Sequence, residues 1–180
     1  MTTPPIIFLD IDGVINDGPW LMRETQESRD FHLRKDIHIA AMDMNPKSVR
    51  NLQTIVDATG AKVVISSSWR YSYKFDKMQE FLAVHGFTGE VIDSTPTEEE
   101  TQRVMRHSAR KRTCRGDDIQ LWLDRNPDYD TFVILDDSEH MGNLCWKMVK
   151  TNFEIGLTEE DAKNAIGVIN GIHGGVSNWD

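Results

Sequence analysis

At 180 residues the chain is the size of one ordinary domain with a real core, and none of its apolar runs approaches the ~20 residues a membrane-spanning helix needs. A formal net charge of −9 excludes a protein that coats nucleic acid through a broadly basic surface. The start of the chain has no basic segment leading into an apolar one, and Cys114 and Cys145 show no metal-binding spacing, so the expectation is a cytoplasmic protein with buried or free thiols.

The first predicted element is the apolar run Ile6 to Leu9, which lacks alternation and therefore reads as a strand buried on both faces. It ends in Asp10-Ile11-Asp12-Gly13. Residues i and i+2 of an extended chain point the same way, so the two carboxylates can converge on one ion or one reacting atom, and Gly13 lets the backbone turn. An Asp-Gly turn with solvated acids is the competing explanation. Residues 17–45 interrupt the pattern. Phe31-His32-Leu33 and Ile37-His38-Ile39 suggest a hairpin turning at Arg34 to Asp36, a flap or small cap over the site, and the two histidines match no zinc spacing.

A helix follows from Asn45-Pro46, with Val49, Leu52, Ile55 and Val56 on one face and Gly60 at its end. Lys62 to Ile65 is the next strand, running into Ser66-Ser67-Ser68. A helix over Asp76 to His85 leads to a short strand at Glu90 to Asp93. Residues 94–114 hold Glu98-Glu99-Glu100 and then a basic run from Arg103 to Arg115 without an acid, read as a helix or a substrate loop. Gly116 to Arg125 is helical, with Asp117 and Asp118 in a first turn that favours acids. A strand at Thr131 to Leu135 ends in Asp136-Asp137. Ser138 to Lys147 is predicted helical, Met148 to Thr151 a last strand, and Thr158 caps a last helix reaching Asn170.

Strands alternating with helices define an α/β domain over 1–180, a doubly wound, Rossmann-like, three-layer parallel sheet with small flap or cap insertions. Parallel strands bring their carboxyl ends to one edge, so Asp10 and Asp12, Ser66 to Ser68, and Asp136-Asp137 meet in one crevice. Such a cluster of carboxylates repels itself unless a cation resolves it. Oxygen ligands without His or Cys point to Mg²⁺. Ser66 and Arg115 are then the natural holders of phosphoryl oxygens, which makes phosphoryl transfer the expected chemistry.

These motifs, in this order, resemble the haloacid dehalogenase (HAD)-like phosphohydrolases: DIDGV, the serine after VVI, a basic residue before the last motif, and VILDD. SSSWR, RGDDIQLWL and VILDD together look like the phosphatase domain of Swiss Army Knife RNA-repair proteins. There is a looser likeness to the 3'-phosphatase half of polynucleotide kinase-phosphatases. The resemblance spans Ile6 to about Ile169. It implies that Asp10 is the nucleophile and Asp12 the acid/base. It also implies that Mg²⁺ sits between Asp10, the backbone carbonyl of Asp12, and Asp136 or Asp137. Ser66 is implied to bind the phosphoryl group, with Arg115, or its competitor Lys111, as the third-motif cation. Arg70 is implied to reach the substrate. Ser67 is a phosphate-binding candidate too, although Ser67 and Ser68 also suit a helix cap. Trp69 is read as packing. Tyr71, Tyr73 and Phe75 could stack a base, but such aromatics more often close a core.

The expected activity is a Mg²⁺-dependent phosphomonoesterase acting on nucleic-acid ends, with a 3'-phosphate as the favoured group and a mononucleotide phosphatase as the alternative. Two further classes compete: a phospho-accepting receiver-like signalling domain and a non-catalytic binding module. A receiver would place its acidic pair early and its acceptor mid-chain, whereas here DxD comes first and DD last.

Overall fold

The computed structural model describes residues 3–22, 39–107 and 114–172. Five strands form one all-parallel sheet: β1 (Ile6–Leu9), β2 (Lys62–Ile65), β3 (Val91–Ser94), β4 (Phe132–Asp136) and β5 (Met148–Lys150), in the order β3-β2-β1-β4-β5. The helices are α1 (Ile39–Met42), α2 (Pro46–Thr59), α3 (Phe75–Val84), α4 (Glu98–Val104), α5 (Arg115–Arg125) and α6 (Glu159–Ile169). Strand order reverses at β1, so the crevice beyond its carboxyl end is the switch point where such sheets bind ligands.

The unbroken apolar strands are buried on both faces, as their composition requires. Ile7, Leu9, Val63, Ile65, Val133 and Leu135 pack with Leu52 and Ile55 of α2, Phe81 of α3 and Ala165 of α6. Their strand neighbours Ile6, Phe8, Val64 and Ile134 turn to the other face and meet Ile119 and Trp122 of α5. Phe8 stands edge-on to both Trp122 and Phe132 at centroid distances of 5.4 and 5.6 Å. The expected three layers and doubly wound sheet are therefore present.

Local signals set most helix ends. Asn45 accepts from Lys47 N, Pro46 occupies the first turn, and Gly60 closes α2 at a φ of +67°. Thr97 with Glu100 forms a capping box on α4, and Thr158 with Asp161 does so on α6.

Three expectations change. Ser138 to Lys147 is not an α-helix: the chain turns where Asp136 Oδ1 accepts from Ser138 N, and only Gly142–Lys147 coils, as a 3₁₀ helix entered through Gly142 at a φ of +56°. β4 runs one residue past Leu135, so Asp136 belongs to the strand. Ile39 opens α1 rather than closing a hairpin, and the rest of that predicted hairpin, His32 and His38 included, lies outside the described residues. Within 94–114, helix α4 and a 3₁₀ turn at Met105–His107 occupy the first part; Arg110, Lys111 and Arg112 fall outside the described residues. Among the described residues, no helix is long and apolar enough to cross a membrane.

Candidate active site

Strand parity explains which side chains converge. Leu9 is in register with Ile65 on β2 and Leu135 on β4, so the following residues Asp10, Ser66 and Asp136 form one row across the sheet's carboxyl edge. Each is an even step from a residue packed under α5 (Phe8, Val64 and Ile134), so the row faces the layer that contains α5. The first residue of that helix is Arg115.

Asp10 is buried, its Oδ1 accepts from Ile11 N at 2.8 Å, and Arg115 Nη1 stands 3.6 Å from the same oxygen. Gly116 makes this approach possible. A Cβ there would fall 2.0 Å from Met141 O, so the first turn of α5 rests directly on the loop after β4.

Asp10, Asp136 and Asp137 each offer a carboxylate oxygen within 4.8 Å of the others. Burial first, and the charge of Asp10 second, push the Asp136 carboxyl up to about 7, against the pull of Arg115 and of the Ser138 N–H. The same two causes raise Asp137. Asp136 Oδ2 is buried and has no hydrogen-bond partner among the described residues. An all-oxygen donor set with an orphaned, charge-strained carboxylate fits a hard divalent cation. Gly13 is part of the same fit: at a φ of +74° a Cβ would come within 2.5 Å of Asp137 Oδ2.

Ser66 is fully buried, yet its Oγ also lacks a partner among the described residues, as does Arg115 Nη1 apart from its ion pair with Asp10. Thr95, the residue after β3 and beside Ser66, presents a second such buried hydroxyl and Ser94 a third, neither anticipated from the sequence. Orphaned donors around a buried carboxylate are costly unless a ligand takes them up.

Asp12 is half-buried, and its carboxylate is not among the three that cluster. It accepts instead from Asn16 Nδ2 at 2.9 Å and from Trp69 Nε1. Neither donor was singled out in the sequence as a site residue. Asp43, just ahead of α2, lies in the field of Asp12; burial and then that charge raise its carboxyl above the usual range.

Arg70 is placed otherwise than expected. Its Nη1 donates to Ser66 O at 3.0 Å and Ser67 O at 2.7 Å, while Nη2 meets Asp118 Oδ2 at 2.9 Å, with the two side chains only 4% and 6% exposed. Arg70 thus braces the Ser66 turn, while its Nε is buried without a hydrogen-bond partner among the described residues. Asp118, set aside as a helix-start acid, is the buried partner, and it also accepts from Thr101 Oγ1 of α4 at 2.6 Å. The signal was available: Arg115, Asp118, Ile119 and Trp122 fall on one i, i+3, i+4, i+7 stripe, the buried face of α5.

Ser67 behaves as a cap, its hydroxyl accepting from Trp69 N at 3.4 Å. Asp117 accepts from Cys114 N at 2.8 Å in the first turn of α5. Tyr73 packs on Phe81, whereas Tyr71 is exposed. Lys111 lies outside the described residues, so Arg115 is the basic residue found against Asp10.

The model of the HAD domain in Swiss Army Knife RNA repair proteins matches residues 6–162, most of the chain. The chain belongs to this family. Membership in this HAD family places it in the phosphohydrolase superfamily, in keeping with the all-parallel sheet and the acid row at its edge. No curated protein and no solved structure matches it.

Proposed function

We propose that this HAD domain is a Mg²⁺-dependent phosphomonoesterase working through an aspartyl-phosphate on Asp10, with the phosphorylated end of a nucleic acid, a 3'-phosphate, as substrate. The observation that carries the reaction type is the register row with its cation: a buried Asp10, the orphaned Ser66 hydroxyl just past the end of the adjoining strand, and Arg115 Nη1 of α5 at 3.6 Å.

Asp10 attacks phosphorus and the bond to the leaving oxygen breaks, with Asp12 giving that oxygen a proton. Water then attacks the phosphorylated Asp10, loses a proton to Asp12, and frees inorganic phosphate. Arg115 and Ser66 supply a fixed cation and a hydroxyl donor to the phosphoryl oxygens. Asp10, Asp136, Asp137 and the backbone carbonyl of Asp12 are the groups that would hold Mg²⁺, which when bound offsets the charge of nucleophile and phosphate. Arg70 and Asp118 hold the Ser66 turn in place.

The choice of substrate rests on the family and on the basic run from Arg103 to Arg115, an attractive field for a polyanion on an otherwise acidic chain. Phosphate release from 3'-phosphorylated and 5'-phosphorylated oligonucleotides and from mononucleotides tests it. The expected order puts 3'-phosphorylated oligonucleotides first, with all activity lost in Asp10→Asn. Preference for mononucleotides, untouched by neutralising Arg106, Arg110 and Lys111, would overturn the substrate.

A further inference from the structure

We infer that Trp69 is a positioning residue for Asp12, its indole N–H fixing the carboxyl group that hands a proton to the leaving oxygen; this rests on the phosphomonoesterase reading above. Trp69 Nε1 lies 3.2 Å from Asp12 Oδ1 and 3.2 Å from Oδ2. A donor equidistant from both oxygens restrains the swing of the carboxyl group. Asn16 Nδ2 adds a bond to Oδ1 alone, and Asn16 Oδ1 accepts from Gly13 N at 3.2 Å, so the asparagine is itself held by the turn. Oδ1 therefore accepts two donors and Oδ2 one. With two lone pairs on each oxygen, Oδ2 keeps the capacity to carry a proton.

The indole has its own anchorage. It sits in the 3₁₀ turn Ser68–Tyr71 directly behind Ser66, and its ring packs on Tyr73 at 5.9 Å. Tyr73 stands edge-on at 5.1 Å to Phe81 of α3, a fully packed core residue. A line of aromatic rings thus runs from the core to Asp12. It ties the loop after β1, which carries the acid, to the loop after β2, which carries Ser66. Proton transfer to a leaving group needs the acid within hydrogen-bond reach in the transition state, so a swinging carboxyl loses rate without losing the fold.

The step this serves has a distinctive dependence on the leaving group. As Asp10 bonds to phosphorus, the electron pair of the breaking P–O bond passes to the leaving oxygen. An alcohol oxygen must take a proton from Asp12 at that moment, whereas p-nitrophenolate departs as a stable anion. The experiment compares wild type, Trp69→Phe, Asp12→Asn and Asp10→Asn on a 3'-phosphorylated oligonucleotide and on p-nitrophenyl phosphate, with folding checked by thermal melting. In single turnover, Trp69→Phe is expected to slow the first step, release of the alcohol as Asp10 is phosphorylated, by about 10- to 100-fold on the oligonucleotide, leaving the burst rate of p-nitrophenolate release little changed. The second step, in which Asp12 takes the proton of the attacking water, slows alike for both substrates. Trp69→His, which retains a ring N–H, restores part of the loss. If the Phe variant fails to fold, the benzothienyl analogue of Trp at position 69, which replaces only N–H with sulfur, carries the same comparison. Equal slowing of the first step on both substrates, or none on either, with Asp10→Asn inactive, overturns the role of Trp69 alone. A wild type no more active than Asp10→Asn overturns the phosphatase reading, and this inference with it.

Discussion

Arg70 and Asp118 meet at 2.9 Å with almost no solvent around either side chain, joining the turn that carries Ser66 to the helix that begins with Arg115. The pair thereby fixes the spacing between two groups that flank Asp10. Removing one member leaves the other charge buried and uncompensated, which costs about 3–5 kcal/mol. Asp118→Ala should therefore lower the urea midpoint by that equivalent and reduce phosphatase activity together. Thr101→Val, which removes the hydroxyl that bonds Asp118 Oδ1 and also contacts Thr97 O within α4 but leaves the Arg70–Asp118 pair intact, should cost about 1 kcal/mol.

Gly116 allows α5 to rest on the loop after β4, since a Cβ would lie 2.0 Å from Met141 O. That neighbour is backbone and cannot swing aside. Gly116→Ala should destabilise the domain by about 1–3 kcal/mol through overpacking. It should also weaken binding of orthovanadate, a phosphate mimic, because Arg115 moves with the helix start.

How far the sequence anticipated these relationships follows from the physics of each. Ile6 to Leu9 and Phe132 to Leu135 are unbroken apolar runs, so buried parallel strands and the acids at their ends were legible from composition alone. The stretch Ser138 to Lys147 misled because its helix-compatible residues are overridden by Gly142 and by the Asp136 bond to Ser138 N, both consequences of the site's geometry. Trp69 and Asn16 were hidden for another reason. Their partner is Asp12: the Trp69 contact spans 57 positions of sequence, a pairing that no local periodicity records, while Asn16 lies four positions from Asp12 and meets it only because the chain turns at Gly13. Asp118 was different: its place on the buried stripe of α5 could have been read, but an acid in a first helical turn has a sufficient local explanation.

The crowded carboxylates predict a pH dependence of stability in metal-free protein. The folded-state pKa of Asp136 is about 7, above the 3.8 of an unperturbed aspartate. Between these values the unfolded chain gives up the proton while the folded one keeps it. Stability is thus greatest below about pH 4 for this group and is lost as pH rises toward 7, up to about 4 kcal/mol in all. Thermal melts in EDTA across pH 5 to 7.5 should show wild type losing stability relative to Asp136→Asn as pH rises. Saturating Mg²⁺ should flatten or reverse that difference, because the cation favours the ionised carboxylate.

Gly13 offers a way to perturb the cation site without deleting a ligand. Its φ of +74° disfavours any side chain by about 1–2 kcal/mol, and a Cβ would also stand 2.5 Å from Asp137 Oδ2, forcing that carboxylate out of the trio. Mg²⁺ that binds only the folded state raises stability by about 2.7 kcal/mol at one hundred times its Kd. The Mg²⁺-induced rise in Tm should accordingly be clear in wild type and much reduced in both Gly13→Ala and Asp137→Asn. Gly13→Ala should also melt lower than Asp137→Asn in EDTA, since only it adds backbone strain. If Gly13→Ala keeps the full Mg²⁺ response, Asp137 does not need the position it holds here to bind the ion, and the trio is the wrong description of the cation site.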